Sequence, residues 1–378
     1  MARNGVHRGD YGLLDSFFMN SGFAQRRSAL AQKLGALQVE SMLVTHPADW
    51  YYLTGFSGES GALVVTRGGA TLITDGRFVG QAKAETTGVA VVQQEGSLFE
   101  STGEFLVGSK TKSVGFETTQ LSVSQYGALR KASGRGCKWK PVAGLVASLR
   151  MHKDAQELAV MRRAAILAGQ VMEAAVPLLK AGVREFEVAA EIEYQMRKRG
   201  ASGAAFETIV AFGERAALPH ARPTAKRLKK NEFVVLDLGV ILAHYCSDIT
   251  RTFYYGKAPA RVRQWYKAVQ DAQVAAIAAV KNGVLCGDVD AAARQVLERQ
   301  GLGKYFVHST GHGLGLEVHE DPRIARGQKK RLEAGNVVTI EPGIYIEGVG
   351  GIRIEDDVAV HADRIEVLTR ITRDFIEI

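Results

Sequence analysis

Two distant stretches of this chain follow one plan. Asn231-Glu-Phe-Val-Val-Leu-Asp237-Leu-Gly239 and Asn336-Val-Val-Thr-Ile-Glu341-Pro-Gly343 each run from Asn through an apolar strand to a carboxylate and a glycine. Each is followed by a second strand with another acid, Asp248 in YCSDITRTF and Glu355 in GIRIEDDV. A carboxylate within an apolar strand is costly unless something pairs with it. Asp237 and Asp248 are symmetric about a turn near Leu242-Ala243, so they are expected to face each other across an antiparallel ladder. Glu341 and Glu355 are symmetric about Gly348, within the turn glycines of Glu347-Gly-Val-Gly-Gly351. Like charges placed opposite one another destabilise a sheet. Two such pairs in a weakly duplicated unit ask for cations between them.

Histidine joins the set in Val307-His308-Ser-Thr-Gly-His312-Gly-Leu-Gly-Leu-Glu-Val-His319-Glu. Gly311, Gly313 and Gly315 disfavour a helix, so His308 and His312 are not a helical zinc-protease pair, and His319-Glu320 lacks the second histidine of that motif. The spacing also fails as a dinucleotide loop. These glycines instead let backbone and imidazole approach something compact. His220, in Leu218-Pro-His-Ala, reads equally well as structural or functional. Four carboxylates and one neutral imidazole balance two divalent cations, and this oxygen-rich set suits Mn²⁺, Co²⁺, Zn²⁺ or Fe²⁺. A centre of two such ions is suited to hydrolysis.

The rest of the chain frames that unit. With 378 residues, two domains are expected. Residues 1–22 read as a tail and 23–148 as an α/β domain of short strands alternating with helices. Residues 149–378 read as an α+β catalytic domain, opened by a capping box at Asp154-Ala-Gln-Glu157. The longest apolar stretches fall well short of the ~20 residues of a membrane span. Three scattered cysteines, Cys137, Cys246 and Cys286, give no disulfide framework and fit a reducing compartment, and no secretory signal is evident; the expected location is the cytoplasm. The net charge of +8 is densest at Arg130, Lys131, Arg135, Lys138 and Lys140. That run reads as a solvated face rather than a nucleic-acid surface, because no aromatic platform accompanies it.

The motifs LDLG (Asp237), SDITRTF (Asp248), STGHGLGLEVHE (His312), TIEPG (Glu341) and GGIRIEDD (Glu355) resemble the Xaa-Pro peptidases of the pita-bread metallopeptidase family, which includes aminopeptidase P and prolidase. Trp50-Tyr-Tyr-Leu-Thr-Gly-Phe56 and Ile73-Thr-Asp-Gly-Arg77 resemble that family's N-terminal domain, so the likeness covers nearly the whole chain. The resemblance implies a creatinase/prolidase-type N-terminal domain, a pita-bread catalytic domain and two divalent ions, with Mn²⁺ preferred over Co²⁺ or Zn²⁺. Asp237 would hold one ion and His312 with Glu341 the other, Asp248 and Glu355 bridging. His220, His308 and His319 match the family's non-ligand active-site histidines. Arg353 would orient the carboxylates, Arg323 would bind a substrate carboxylate, and Tyr52, with Phe56 and Arg77, would line the cleft.

The implied activity is exopeptidase cleavage of the Xaa-Pro bond in dipeptides or at peptide N-termini. A hydroxide shared by the two metals would attack, and Glu341 would carry the proton. The implied partners are small peptides with proline second, and a second copy of the chain in a homodimer. Two readings compete: a metal-free creatinase-like hydrolase, and a non-catalytic binding module on the same fold. Methionine aminopeptidase shares the five ligands, but the first 140 residues argue against it.

Overall fold

The computed structural model describes residues 14–378, with side chains from residue 22 onward. The chain divides into two compact units, Met1–Arg150 and Met151–Ile378. Among the described residues no helix is long and apolar enough to cross a membrane.

The first unit opens with helix α1 (Leu14–Ala36), which begins inside the segment that the sequence suggested was a tail. Leu14, Phe17 and Phe18 recur at helical spacing there, and that signal outweighs the neighbouring Asn and Gly. The rest of that tail, residues 1–13, lies outside the described residues. After α1 come β1 (Ser41–Val44), α2 (Pro47–Thr54), β2 (Ala62–Thr66), β3 (Gly69–Thr74), α3 (Val79–Glu85), β4 (Ala90–Gln93) and α4 (Leu98–Gly108). The unit closes with β5 (Ser113–Glu117), α5 (Val123–Ser133), β6 (Lys138–Val142) and α6 (Leu145–Arg150). The strands form one mixed sheet in the order β4-β3-β2-β1-β5-β6, and Leu43, Val64, Ile73, Leu106, Val114 and Leu129 fill a core beneath it. Edge strand β6 was not legible in the sequence. It carries Lys138, Lys140 and Pro141, residues that blunt an edge against pairing with another chain. Part of the basic run is thus an edge.

The second unit begins at α7 (Ala155–Ala175), where Asp154 Oδ1 accepts the Gln156 and Glu157 amides and Glu157 returns a bond to the Asp154 amide. Next come α8 (Glu185–Lys198), β7 (Gly203–Ala204), β8 (Ile209–Phe212), β9 (Glu232–Leu238), β10 (Val240–Leu242), β11 (Tyr245–Cys246) and β12 (Ile249–Tyr255). Helices α9 (Ala260–Ala279) and α10 (Cys286–Arg299) lead to β13 (Gly311–Gly313), β14 (Glu320–Ile324), β15 (Val337–Ile340) and β16 (Gly343–Ile346). The chain ends through β17 (Gly350–Arg353), β18 (Asp356–Val360), β19 (Ile365–Val367) and β20 (Ile376–Glu377).

Two larger sheets dominate this unit, β20-β12-β9-β8 and β14-β13-β15-β18-β19. Helices α7 and α8 pack on one face of the first through Leu167, Val171, Val188 and Ile192 against Val234, Leu236 and Phe253. Helices α9 and α10 share the other core with Phe233, Val235, Val338, Ile340 and Val358. Strand β9 therefore buries both faces, and the period-two alternation puts Asp237 on the side of Phe233 and Val235.

Candidate metal centre

The two hairpins deliver their acids in different registers. Ile340 pairs with Asp356 and Gly343 with Arg353, so Glu341 and Glu355 lie opposite each other where the ladder passes from β15–β18 to β16–β17. In the first hairpin Thr250, not Asp248, stands opposite Asp237. Asp248 is therefore one residue pair further along the same face, a diagonal rather than a direct neighbour. The expectation of a facing pair fails because the turn centres on Ala243 and His244, both with left-handed backbone (φ 44° and 71°), instead of on Leu242-Ala243.

Ligand atoms of Asp248, His312 and Glu355 all fall within 4.8 Å of one another. His312 Nε2 lies 3.7 Å from Asp248 Oδ2 and 3.6 Å from Glu341 Oε1. Its Nδ1 is 2.9 Å from the Gly313 carbonyl, which can only accept, so Nδ1 carries the proton. Burial holds this imidazole down at about 4, so Nε2 is a bare lone pair facing two carboxylates. Nothing in that arrangement supplies a positive charge.

The carboxylates carry the same message. Burial, then repulsion from Glu355 and Asp237, raises Asp248 well above the usual carboxylate range. Glu355 is raised well above it by burial and by the charges of Glu341 and Asp237. Glu341, also buried, is pushed up to about 8. Asp237 Oδ1 and Asp248 Oδ1 are buried with no hydrogen-bond partner among the described residues. Orphaned acceptors around a deprotonated imidazole nitrogen are the environment a divalent cation satisfies. The donor set fits such ions.

Small backbone makes this convergence possible. A Cβ on Gly311 would sit 1.8 Å from the Thr339 carbonyl oxygen, and one on Gly313 would sit 2.2 Å from that of Asp321. Only glycine lets β13 lie this tightly between its neighbours and hand His312 to the acids.

Residues 159–362 match the model of metallopeptidase family M24, and residues 26–152 match the creatinase/prolidase N-terminal domain. The chain belongs to family M24. It is 35% identical to the Xaa-Pro dipeptidase of Pyrococcus furiosus over 353 residues, covering 93% of this chain and 99% of that protein. The solved Xaa-Pro dipeptidase of Bacillus anthracis superposes with a TM-score of 0.91 at 35% identity, covering 94% of this chain and all of the other. The X-Pro aminopeptidase of Thermotoga maritima superposes with a TM-score of 0.86 at 34% identity, covering 92% of this chain and 100% of that one. The second unit thus has the pita-bread fold of M24, behind a creatinase-type N-terminal domain.

Around these acids, Arg353 organises a second layer of hydrogen bonds. Its Nη2 donates to Asp237 Oδ2, its Nε to Thr250 Oγ1 at 3.0 Å, and its Nη1 to Tyr345 Oη at 2.6 Å and the Pro219 carbonyl at 3.2 Å. Thr250 passes its own hydroxyl proton to Glu355 Oε2 at 2.6 Å. One guanidinium therefore fixes acids from both hairpins. It also supplies a positive charge that the sequence count of four unbalanced acids omitted.

The histidines take separate stations. His308 Nδ1 donates to the Ser309 carbonyl at 2.7 Å, so Nε2, 2.8 Å from Tyr345 Oη, accepts the tyrosine hydroxyl. Burial, with the Arg353 charge nearby, holds His308 down at about 4, and both ring nitrogens are engaged within the protein. His319 is exposed, with its ring centroid 4.4 Å from that of His312. Burial of part of the ring, then the charge of His220, lowers its pKa. His220 is exposed as well.

Arg323 is exposed on β14 with no ion pair among the described residues. Tyr52 belongs to the first unit, where it is 4% exposed, donates its hydroxyl to the Leu149 carbonyl and carries Arg26 over its ring. Phe56 is fully buried in that unit, and Arg77 is paired with Asp75.

Three site residues escaped sequence reasoning. Tyr345 and Thr250 are ordinary strand formers, and only their alternation with Gly343 and Asp248 could have flagged them. Asp357 is 1% exposed and accepts the Asp248 amide through Oδ2 at 3.1 Å. Burial and the charge of Asp356 raise its carboxyl well above the usual range. Cys246, by contrast, is a packed thiol facing the Leu316 carbonyl.

Proposed function

We propose that this chain is a metal-dependent exopeptidase that hydrolyses the Xaa-Pro bond, with Xaa-Pro dipeptides as its main substrates. The observation that carries the reading is the bare Nε2 of His312, aimed at Asp248 and Glu341 among orphaned carboxylate oxygens. Asp237, Asp248, His312, Glu341 and Glu355 would hold two divalent cations, Mn²⁺ first among the candidates. When bound, such ions activate water at neutral pH and polarise a carbonyl oxygen.

The chain's own residues do the rest. The scissile bond before proline is a tertiary amide, so its nitrogen has no hydrogen and must be protonated to leave. Glu341, whose carboxylate lies beside His312 in the cluster, would be the proton carrier for that step. His319 and His220, both exposed beside the cluster, would donate hydrogen bonds to the substrate carbonyl and to the oxyanion that forms. His308 would act one step removed, by bracing Tyr345 against Arg353. Arg323, unpaired at the surface, would hold the terminal carboxylate of a dipeptide, and this favours dipeptides over longer peptides.

The test is a peptide panel with defined metals. Chelation should abolish cleavage of Xaa-Pro, and Mn²⁺ or Co²⁺ should restore it. Arg323→Ala should raise KM for Xaa-Pro by about tenfold and leave Xaa-Pro-Yaa unaffected. Cleavage indifferent to chelator, or no cleavage of either peptide with any metal, defeats the reading.

A further inference from the structure

We propose that Glu185 is a positioning residue for this reaction: its carboxylate clamps both ends of segment 212–224 and so fixes where His220 and the Pro219 carbonyl stand. The inference rests on the peptidase reading above.

Glu185 opens α8, yet it does not serve its own helix. Glu187 does that, accepting the Arg184 amide at 2.8 Å. The Glu185 side chain is 0% exposed and turns to a different stretch of chain. Oε1 accepts the Phe212 amide at 2.9 Å, at the end of β8. Oε2 accepts the Thr224 amide at 2.8 Å and the Thr224 hydroxyl at 2.6 Å. Arg215 Nε reaches both oxygens, at 3.1 and 3.0 Å, and its Nη2 donates to the Arg222 carbonyl at 2.6 Å. One buried charge therefore closes the loop at its entry, its exit and its first turn, through bonds of the stronger, charge-assisted kind.

What the loop carries gives the clamp its consequence. The Pro219 carbonyl accepts Arg353 Nη1, whose other nitrogen holds Asp237. His220 follows at once, exposed and with no hydrogen bond of its own among the described residues. It lies close enough to His308 and His319 for its charge to oppose their protonation. With no side-chain tether, His220 is placed by its backbone, which Arg353 holds at Pro219, the buried Ala216 and Ala221 seat in the core, and Glu185 clamps at both ends of the segment.

Glu185→Gln keeps the shape, removes the charge Arg215 needs, and turns one acceptor into an NH₂ group facing N–H donors. Thr224→Val is the milder variant: it keeps the Glu185 charge and the Thr224 amide bond, and loses the hydroxyl with its bond to Glu185 and the one it accepts from the Lys226 amide. In the metal-free protein, hydrogen exchange of amides 213–224 should quicken about tenfold in Glu185→Gln and about threefold in Thr224→Val, with other segments unchanged. In the metal-loaded enzyme, Glu185→Gln should lower kcat about tenfold with KM within about twofold. In a His220→Ala background the same substitution should cost less than about twofold, because the group it positions is already gone.

Unchanged exchange in both variants overturns the clamp. A Glu185→Gln loss that carries over in full to the His220→Ala background overturns its role in the reaction. A wild-type protein without Xaa-Pro cleavage would sink the peptidase reading instead, and the exchange arm would still decide whether Glu185 holds the loop.

Discussion

Glu355 and Asp356 are adjacent in sequence, equally buried, and face opposite fates. Asp356 is surrounded by the protein's own donors: Arg251 Nη2 at 2.8 Å, Gln273 Nε2 at 2.6 Å, and Arg373 Nε. Glu355 faces Thr250 and three further acids, with Arg353 as the nearby cation. One region is closed and balanced; the other is built with a deficit of positive charge. Burial of an acid therefore does not mark a metal site, since both clusters are buried. The missing counter-charge is what singles out the candidate.

That contrast can be broken from either side. The largest effect is expected at the deficient cluster. Asp248→Asn should lower metal-dependent turnover on the order of a thousandfold, while the chelated protein melts no lower than wild type, because a repelled charge has been removed. Near-normal turnover at saturating metal would erase the distinction between the clusters. At the balanced cluster the pattern should invert. Arg251→Met removes the more deeply buried of the two guanidinium groups on Asp356 and should cost about 3–5 kcal/mol in urea unfolding, whether or not metal is present. A loss below about 1 kcal/mol would mean that the network is not what holds that strand.

The smallest effect is the most diagnostic. In the metal-free protein the folded state keeps a proton on Glu341 that the unfolded chain has already released, since the folded carboxyl titrates at about 8. Proton binding favours the folded state, so stability must fall as pH rises through that range. His308 and His312, held down at about 4, push the other way only below about pH 6.5, where the unfolded histidines still bind protons. Between pH 6.5 and 8 the chelated protein should lose up to about 1.4 kcal/mol per pH unit for each retained proton. Its melting temperature should fall across this window while that of the metal-loaded protein stays flatter. Parallel curves would show that the acids are not what destabilises the empty centre.

Legibility in the sequence followed the turns. Gly348 has a left-handed backbone (φ 72°), and reflection about it pairs Glu341 with Glu355 in the register found. The first hairpin turns on Ala243 and His244, which also adopt left-handed backbone but include no glycine to mark the turn, so the reflection was displaced. The α/β character of the first unit followed from strand and helix periodicity, and the pita-bread fold of the second from the resemblance carried by its motifs. Strand β6 did not, because its lysines and proline look like loop or surface. Tyr345, Thr250 and the clamp at Glu185 depend on contacts between segments far apart in sequence, which no local pattern encodes.

The glycine ribbon at β13 has an evolutionary corollary. With Gly311 and Gly313 pressed against the carbonyls of Thr339 and Asp321, that stretch offers no room for a new side chain. Changes in specificity among descendants of this sequence must therefore accumulate at its borders, at exposed positions such as Val307 and Arg323, while the ribbon itself stays fixed.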